Sequence, residues 1–272
     1  MTLLYERGML MNWEEKLYNV NEKPLDTLVS GYSRTSIFRT IAFVGDSMSS
    51  GEFETLGEDG TRGYHDFYEY SWGQHIARKN GLKAYSFSRG GMTAKEYISS
   101  FAQERGFWDP DKAAQAYVIA LGVNDVCNGG MPVGTIDDIK EDYRQNGDTY
   151  IGYYAAIVAR YKEITPDAKF FFVTVPNEDS RNKFGCIEIV NEAIRSLAEY
   201  FENAYVIDLF TYGPVFDDRL HEQYFMHGHM NPSGYILIAV ICISEVIDVS
   251  PHNLDSSLCF FQPSVSHDVL CI

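Results

Sequence analysis

Two residues far apart in the sequence could together perform nucleophilic chemistry. Ser47 follows a short apolar run, 41–44, that predicts a buried strand, and Gly45 permits a sharp turn that would leave the serine hydroxyl at the end of that strand. His229 precedes an Asn-Pro pair typical of a helix start. A serine hydroxyl becomes a nucleophile when an imidazole within hydrogen-bond reach takes its proton. Gly-Asp-Ser alone is also an ordinary turn, so the interpretation depends on the rest of the chain.

Other positions could donate hydrogen bonds to the charge that develops on an ester carbonyl oxygen. Gly90 and Gly91 follow a second apolar segment and precede a helix start, where backbone N–H groups can approach a ligand closely. Asn124 follows a third apolar segment and offers a side-chain amide. One such donor can lower the barrier of acyl transfer by roughly 3 kcal/mol. Together with Ser47 and His229, these positions predict acyl-transfer chemistry.

The elements that must position these residues alternate between apolar segments and helical segments. This alternation is typical of a parallel sheet with helices on both faces. The carboxyl ends of parallel strands meet at one edge of a sheet, so the candidate residues are expected to converge there. Residues 51–70, rich in glycine, acids and aromatics, are predicted to form a long loop directly after Ser47. The five predicted strands are 40–45, 83–88, 116–121, 169–175 and 205–210.

The 272 residues predict one α/β domain, residues 40–249, with an N-terminal extension, 1–39, packed on its body and a C-terminal tail, 250–272. The net charge of −16 disfavours nucleic acid and anionic membranes as partners, because both need a basic surface. No apolar run reaches the ~20 residues that span a bilayer, and the N-terminus lacks the apolar core of a signal peptide.

The five cysteines show no CxxC spacing and no pairing pattern. They predict reduced thiols and therefore a cytoplasmic protein. Cys127 lies close to Asn124 in the sequence, but no separate base is evident for it, so it is interpreted as an inert thiol.

Four blocks of the sequence, in order and in strand context, resemble those of the SGNH, or GDSL, hydrolase superfamily. The resemblance covers about 40–249 and implies a three-layer α/β/α, flavodoxin-like fold with a five-stranded parallel sheet. It also implies esterase or acylhydrolase activity without a cofactor. The blocks are Gly45-Asp46-Ser47, the glycine after the second strand, Gly122-Val-Asn124-Asp125 and His229-Met-Asn-Pro-Ser-Gly-Tyr235.

The resemblance also assigns roles to individual residues. It implies that Ser47 is the nucleophile and His229 the base. It implies that the backbone N–H groups of Ser47 and Gly91, with the Asn124 side chain, form the oxyanion hole.

One position departs from the family pattern, which usually has aspartate three residues before the histidine. Met226 stands there, and its side chain cannot accept a useful hydrogen bond. Loss of the orienting carboxylate from an intact triad costs on the order of 10⁴ in rate. We favour a Ser–His dyad in which a main-chain carbonyl near Met226 holds the imidazole. Two other interpretations stay open: a carboxylate from the preceding segment orients the imidazole, or the protein is a poor enzyme. The candidate carboxylates are Asp208, Asp217, Asp218 and Glu222.

Two other kinds of site, a metal site and a nucleotide-cofactor site, are considered beside this one. His227 and His229, with His221 and Glu222 nearby, could bind a metal, but the helix start already explains the stretch and none is predicted. No phosphate-binding glycine motif follows a strand, so no nucleotide cofactor is expected.

The sequence therefore predicts a serine hydrolase that removes short acyl groups, such as acetyl, from a small-molecule or carbohydrate ester. The alternatives are a lysophospholipase- or thioesterase-type acylhydrolase and a catalytically weak binding protein that retains the pocket.

Overall fold

The computed structural model describes residues 34–178 and 185–247. A 3-10 turn at Arg34–Ile37 precedes the first strand. The predicted tail, 250–272, and most of the predicted extension, 1–39, lie outside the described residues, so these domain boundaries stay predictions. The strands of the described part are β1 (Thr40–Gly45), β2 (Glu52–Leu56), β3 (Arg62–Asp66), β4 (Lys83–Ser88), β5 (Ala116–Ala120), β6 (Lys169–Val173), β7 (Ala204–Ile207), β8 (Phe225–Met226) and β9 (His229–Met230).

Five of these strands form one parallel sheet in the order β4-β1-β5-β6-β7. The predicted five-stranded parallel sheet is therefore confirmed. Helices cover both faces, as expected for strands that are apolar on both sides. The helices are α1 (Ser47–Ser50), α2 (Trp72–Asn80), α3 (Ala94–Glu96), α4 (Ala102–Glu104), α5 (Tyr150–Ile164), α6 (Cys186–Tyr200), α7 (Leu209–Tyr212), α8 (Asp218–Tyr224) and α9 (Pro232–Ile247), with π-helices at Tyr97–Phe101 and Val123–Asn128.

The core has two layers because successive side chains of each strand point to opposite faces of the sheet. In β5, Tyr117 and Ile119 pack in the layer that includes residues of α5 and α6. Ala116 and Val118 pack in the opposite layer, which includes residues of α2 and α9. This double burial holds the carboxyl ends of the strands at fixed positions.

The segment after α1 differs from the prediction. Residues 51–70 were expected to be a loop, but β2 and β3 form an antiparallel hairpin in which Glu52 lies opposite Asp66. A turn at 57–61 connects the strands, and Gly60 adopts a left-handed backbone there, with φ of 81°. Tyr235 of α9 donates a hydrogen bond to the main-chain carbonyl of Glu52 at 2.8 Å. The hairpin is thus fixed to the body of the domain beside Ser47.

Candidate active site

Ser47 is the first residue of the short helix α1, directly after β1. Asp46 caps this helix by accepting a hydrogen bond from Met48 N at 3.1 Å. A Cβ at position 45 would lie 2.3 Å from Ser49 Oγ and 2.9 Å from the Ala120 carbonyl oxygen, so only glycine fits the turn. Burial raises the pKa of the Asp46 carboxyl to about 6, against the lowering effect of the Met48 N–H. The serine is therefore placed at the carboxyl edge of the sheet, as predicted.

Gly91, expected to donate through its backbone N–H, and Asn124, expected to donate through its side chain, line the same cavity as Ser47. Gly91 has φ of 70°, a left-handed conformation that glycine adopts without strain. Asn124 lies in the π-helix after β5, and its Nδ2 donates to the Met92 carbonyl oxygen at 3.2 Å. Its Oδ1 accepts from Asn128 Nδ2 at 2.8 Å. These two hydrogen bonds fix which end of the Asn124 amide faces the glycine turn.

Asp125 connects the Asn124 segment to the Gly91 segment. Its two carboxylate oxygens accept from Ala94 N at 2.9 and 3.0 Å, at the start of α3. Burial raises the pKa of the Asp125 carboxyl to about 6, opposed by the N–H groups of Ala94 and Lys95. Through this contact the loops after β4 and β5 are held in one arrangement.

His229 reaches the cavity from the small β8–β9 hairpin, in which it lies opposite Met226. Strand β9 packs against α1 and against β2. The edge of the Tyr64 ring faces the imidazole, with ring centroids 6.0 Å apart. The structure therefore brings Ser47 and His229 to one cavity from opposite ends of the sequence.

Both ring nitrogens of His229 contact carboxylates of strand β2. Nδ1 lies 2.7 Å from Glu54 Oε1, and Nε2 lies 3.0 Å from Glu52 Oε1. The two glutamates are two residues apart, so they project from the same face of the strand. Both are almost fully shielded from solvent: the Glu54 side chain is 2% exposed and the Glu52 side chain 9%.

Glu54 has the stronger set of partners. Besides the imidazole, it accepts from Gly228 N at 2.9 Å and from Arg62 Nη1 at 3.0 Å. Desolvation opposes its ionisation, but the hydrogen bond and charge of His229, then Gly228 and Arg62, outweigh it and lower the pKa of the Glu54 carboxyl. Glu54 is therefore held as a carboxylate against Nδ1.

This contact corrects the expectation for the residue that orients His229. Glu54, rather than the expected main-chain carbonyl near Met226, lies at Nδ1, and the carboxylates proposed from the preceding segment have other surroundings. Asp208 caps α7 and pairs with Arg195 at 2.9 Å. Asp217 caps α8, while Asp218 and Glu222 lie exposed on that helix.

The sequence did not predict a role for Glu54 because this residue lies in the segment predicted to be a loop. The alternation in Glu52-Phe-Glu-Thr-Leu56, which places two acids on one strand face, was the signal that could have revealed it.

The cavity at this site has a volume of about 780 Å³. Its polar end contains the serine turn, the two glycines, Asn124, Glu52 and His229. From there it extends along the ends of β5 and β6 over largely apolar side chains. These include Leu121, Val123, Val173, Val175, Ile187, Leu209, Phe216 and Phe225.

A disulfide joins Cys127 to Cys186, and this corrects the prediction that Cys127 is a free, inert thiol. It links the π-helix that carries Asn124 to the first residue of α6. The two cysteines are 59 residues apart in the sequence, so their pairing could not be inferred from spacing. Cys242 is buried in the core layer that includes residues of α2 and α9.

His221, weighed earlier as a metal ligand, instead approaches Glu178, with Nε2 3.2 Å from Oε1, and packs on the Phe225 ring. Among residues 34–178 and 185–247, no three His, Cys, Asp or Glu side chains are grouped so as to hold a metal ion. Within the same ranges, no helix combines the length and apolar character needed to cross a membrane.

A parallel α/β sheet brings a serine turn, amide donors and a carboxylate-bound imidazole to one edge, and these are the groups that acyl transfer requires. The model of the GDSL-like lipase/acylhydrolase family matches residues 43–237, so the chain belongs to this family and is a carboxylic ester hydrolase. None of the curated proteins matches it.

Solved structures share the fold at low sequence identity. A family-two carbohydrate esterase from Clostridium thermocellum, in complex with cellohexaose, is 16% identical, with a TM-score of 0.54 over 81% of this chain and 66% of that chain. A Corynascus carbohydrate esterase family 2 enzyme with a carbohydrate-binding domain is 14% identical, with a TM-score of 0.54 over 81% and 68%. A Lactobacillus plantarum protein is 16% identical, with a TM-score of 0.55 over 75% and 94%.

Proposed function

We propose that the chain hydrolyses acyl esters with Ser47 as nucleophile and His229 as general base. In this proposal Glu54 holds the imidazole through Nδ1. The backbone N–H groups of Ser47 and Gly91 and the Asn124 amide bind the oxyanion. The observation that carries the proposal is the 2.7 Å contact between His229 Nδ1 and a buried glutamate, in the cavity that also contains the serine turn.

The first half of the reaction forms an acyl-enzyme. As Ser47 Oγ bonds to the ester carbonyl carbon, its proton passes to His229 Nε2, and negative charge develops on the carbonyl oxygen. Hydrogen-bond donors aimed at that oxygen stabilise the tetrahedral intermediate. Its collapse breaks the bond to the leaving oxygen, which receives the proton from Nε2 and departs as an alcohol.

Water then reverses these steps. His229 takes a proton from water as its oxygen attacks the acyl carbon, and the second tetrahedral intermediate expels Ser47, which recovers a proton from Nε2. Glu54 stays ionised throughout and stabilises the imidazolium formed in each half-reaction. The products are a carboxylic acid and an alcohol, and no cofactor takes part in these steps.

We propose short acyl groups, such as acetyl on a carbohydrate or another small molecule, as the substrate class. Carbohydrate esterases share the fold, which supports a carbohydrate ester as the first substrate to test. Fold similarity alone does not fix a substrate, so the acyl chain length must be measured.

A longer acyl chain is the second candidate, because the cavity is larger than an acetyl group requires. Its volume of about 780 Å³ and its apolar extension from Leu121 to Phe216 would accommodate a chain of several carbons. A series of p-nitrophenyl esters from acetate to decanoate separates the two candidates. A maximum of kcat/KM at acetate or propionate supports the first, and a maximum at six carbons or more supports the second.

Covalent labelling by a fluorophosphonate probe tests the nucleophile, because only an activated serine reacts. We expect the wild-type chain to be labelled and S47A to lose both labelling and ester hydrolysis. S99A, which removes an exposed hydroxyl on the helix after Gly91, is the matched control and should react like the wild type. Full activity in S47A would refute the assignment, and an unlabelled wild-type chain would favour a binding protein that retains the pocket.

The disulfide also bears on where the chain works. The expected cytoplasmic location depended on reduced thiols, whereas the Cys127–Cys186 bond favours an oxidising compartment. We therefore propose function outside the reducing cytosol. Thiol alkylation of the native chain, followed by mass spectrometry without reduction, should find Cys127 and Cys186 unmodified and linked.

A further inference from the structure

Glu52 contacts the nitrogen of His229 that the proposed reaction assigns to Ser47. In the structure Nε2 lies 3.0 Å from Glu52 Oε1, while Nδ1 is held by Glu54. A base needs its acceptor nitrogen free to take the serine proton, so a carboxyl group at Nε2 competes with the hydroxyl for the same position.

The Glu52 side chain occupies the space that the lack of a side chain at Gly90 leaves open. It lies over Gly90, where a Cβ would come within 1.8 Å of Glu52 Oε2. Its main-chain carbonyl accepts from the Tyr235 hydroxyl, and Asp66 stands opposite it in the hairpin. The carboxyl group is therefore confined beside the glycine turn and the imidazole.

We propose that Glu52 is a positioning residue that competes with the Ser47 hydroxyl for Nε2 of His229, so that the imidazole acts as a base only after Glu52 releases this nitrogen. This inference rests on the proposed roles of Ser47 and His229. The two glutamates then have opposite effects on one ring. Glu54 prepares the imidazole to act as a base, whereas Glu52 restrains it.

The competition makes the activity sensitive to pH. A proton held between Glu52 and Nε2 occupies the lone pair that would otherwise take the serine proton. Burial raises the pKa of the Glu52 carboxyl, although the nearby His229 opposes this, so Glu52 can share its proton with the ring. As pH rises the shared proton is lost, and Nε2 becomes available to Ser47.

Charged and titratable groups from several elements face this pair and contribute to the electrostatic potential at the imidazole. They are Glu54 on β2, Arg62, Tyr64, His65 and Asp66 on β3, Asp46 before α1 and Tyr235 on α9. A test must therefore separate the contact at Nε2 from the general negative charge around it.

The test is the pH dependence of kcat/KM for a p-nitrophenyl ester between pH 5 and 9 in wild type, E52Q and E58Q. E52Q keeps the shape of the side chain and removes its charge. We expect its acid limb to move to lower pH by about one unit. This shift raises kcat/KM severalfold at pH 6, approaches about tenfold only at pH values well below both limbs, and changes kcat/KM less than about twofold at pH 9. E58Q removes a charge from the exposed turn of the same hairpin and should keep the wild-type profile.

A second readout depends only on the nucleophile. The rate of fluorophosphonate labelling should show the same shift of its acid limb, because labelling needs neither substrate binding nor deacylation. E52D retains the charge but moves the carboxylate away from the ring. We therefore expect its acid limb to lie between those of the wild type and E52Q. If E52Q does not fold, as judged by circular dichroism, the E52D profile decides.

An unchanged acid limb in E52Q would overturn the proposal and leave Glu52 with a structural role. A loss of kcat/KM at every pH would also overturn it, because Glu52 would then assist the base. If S47A retained full activity instead, the proposed function itself would fail, and this outcome is distinct from either result with Glu52.

Discussion

The sheet edge and the β2–β3 hairpin supply the two halves of the proposed site in different ways. At the sheet edge, Ser47, Gly91 and Asn124 each follow a strand, and the buried strands fix their positions. In the hairpin, Glu52 and Glu54 extend from one strand face to reach a histidine about 175 residues away in the sequence. In the proposed mechanism, the edge provides the groups that contact the substrate, and the hairpin provides the carboxylates that contact the base.

The carboxylates that contact the base therefore lie on a hairpin outside the parallel sheet that positions the nucleophile. The sheet depends on the packing of many apolar side chains, and Phe53 joins the hairpin to the same core, but Glu52 and Glu54 contribute polar contacts on the other face of β2. Changes to these two glutamates should therefore alter catalysis more than stability. Changes at the sheet edge should alter both.

Removing the carboxylate at Nδ1 should have the largest effect on rate. We expect E54Q to lower kcat about 10³-fold or more, because a neutral amide no longer stabilises the imidazolium and allows the wrong tautomer. The expected melting temperature stays within a few degrees of wild type. E58Q is the control for loss of a hairpin charge, and E54D should recover part of the rate. A wild-type kcat in E54Q would show that the dyad needs no carboxylate.

Removing the disulfide should mainly affect stability. It cross-links residues 59 apart, and the chain-entropy model assigns such a loop about 4 kcal/mol. We expect C127S/C186S to lose roughly this free energy of unfolding in a urea titration. C242A, which alters a buried cysteine of the layer between the sheet and α9, separates loss of this cross-link from loss of a cysteine. Equal stability of the double variant and the wild type would contradict the prediction.

Removing the amide donor should cost less than removing the carboxylate. N124A is expected to lower kcat about 10²-fold with little change in KM, because the donor acts on charge that develops only in the transition state. N128A removes the partner of the Asn124 carbonyl group and should have a smaller effect in the same direction. A rise in KM with unchanged kcat would assign Asn124 to ground-state binding instead.

The smallest effect concerns stability in acid. The pKa of Glu54 is lower in the folded chain than its ordinary value of 4.5, so its contribution to stability is present above that value. The contribution is lost as pH falls through the folded pKa. The free energy of unfolding should therefore fall below about pH 4.5, less steeply in E54Q than in wild type. Parallel curves for the two chains would exclude Glu54 as a source of the acid sensitivity.

The sequence predicts the sheet edge well because its signals are local. A buried apolar run followed by Gly45, or by the segment that holds Asn124, gives both the strand and the side chain at its end. The alternation in 52–56 indicates a strand with two acids on one face, but it does not show what these acids contact, since Glu54 meets His229 only when β9 lies beside β2. The Cys127–Cys186 pairing likewise depends on how α6 packs in the fold, which spacing does not encode.

The close approach of Glu52 to Gly90 links two sequence positions during evolution. Since Glu52 is held at the imidazole, any side chain larger than glycine at 90 would displace it, whereas a smaller residue at 52 would make room. The effect of a substitution at either position thus depends on the residue at the other, which is epistasis with a steric cause. A side chain at position 90 should therefore weaken the contact between Glu52 and His229.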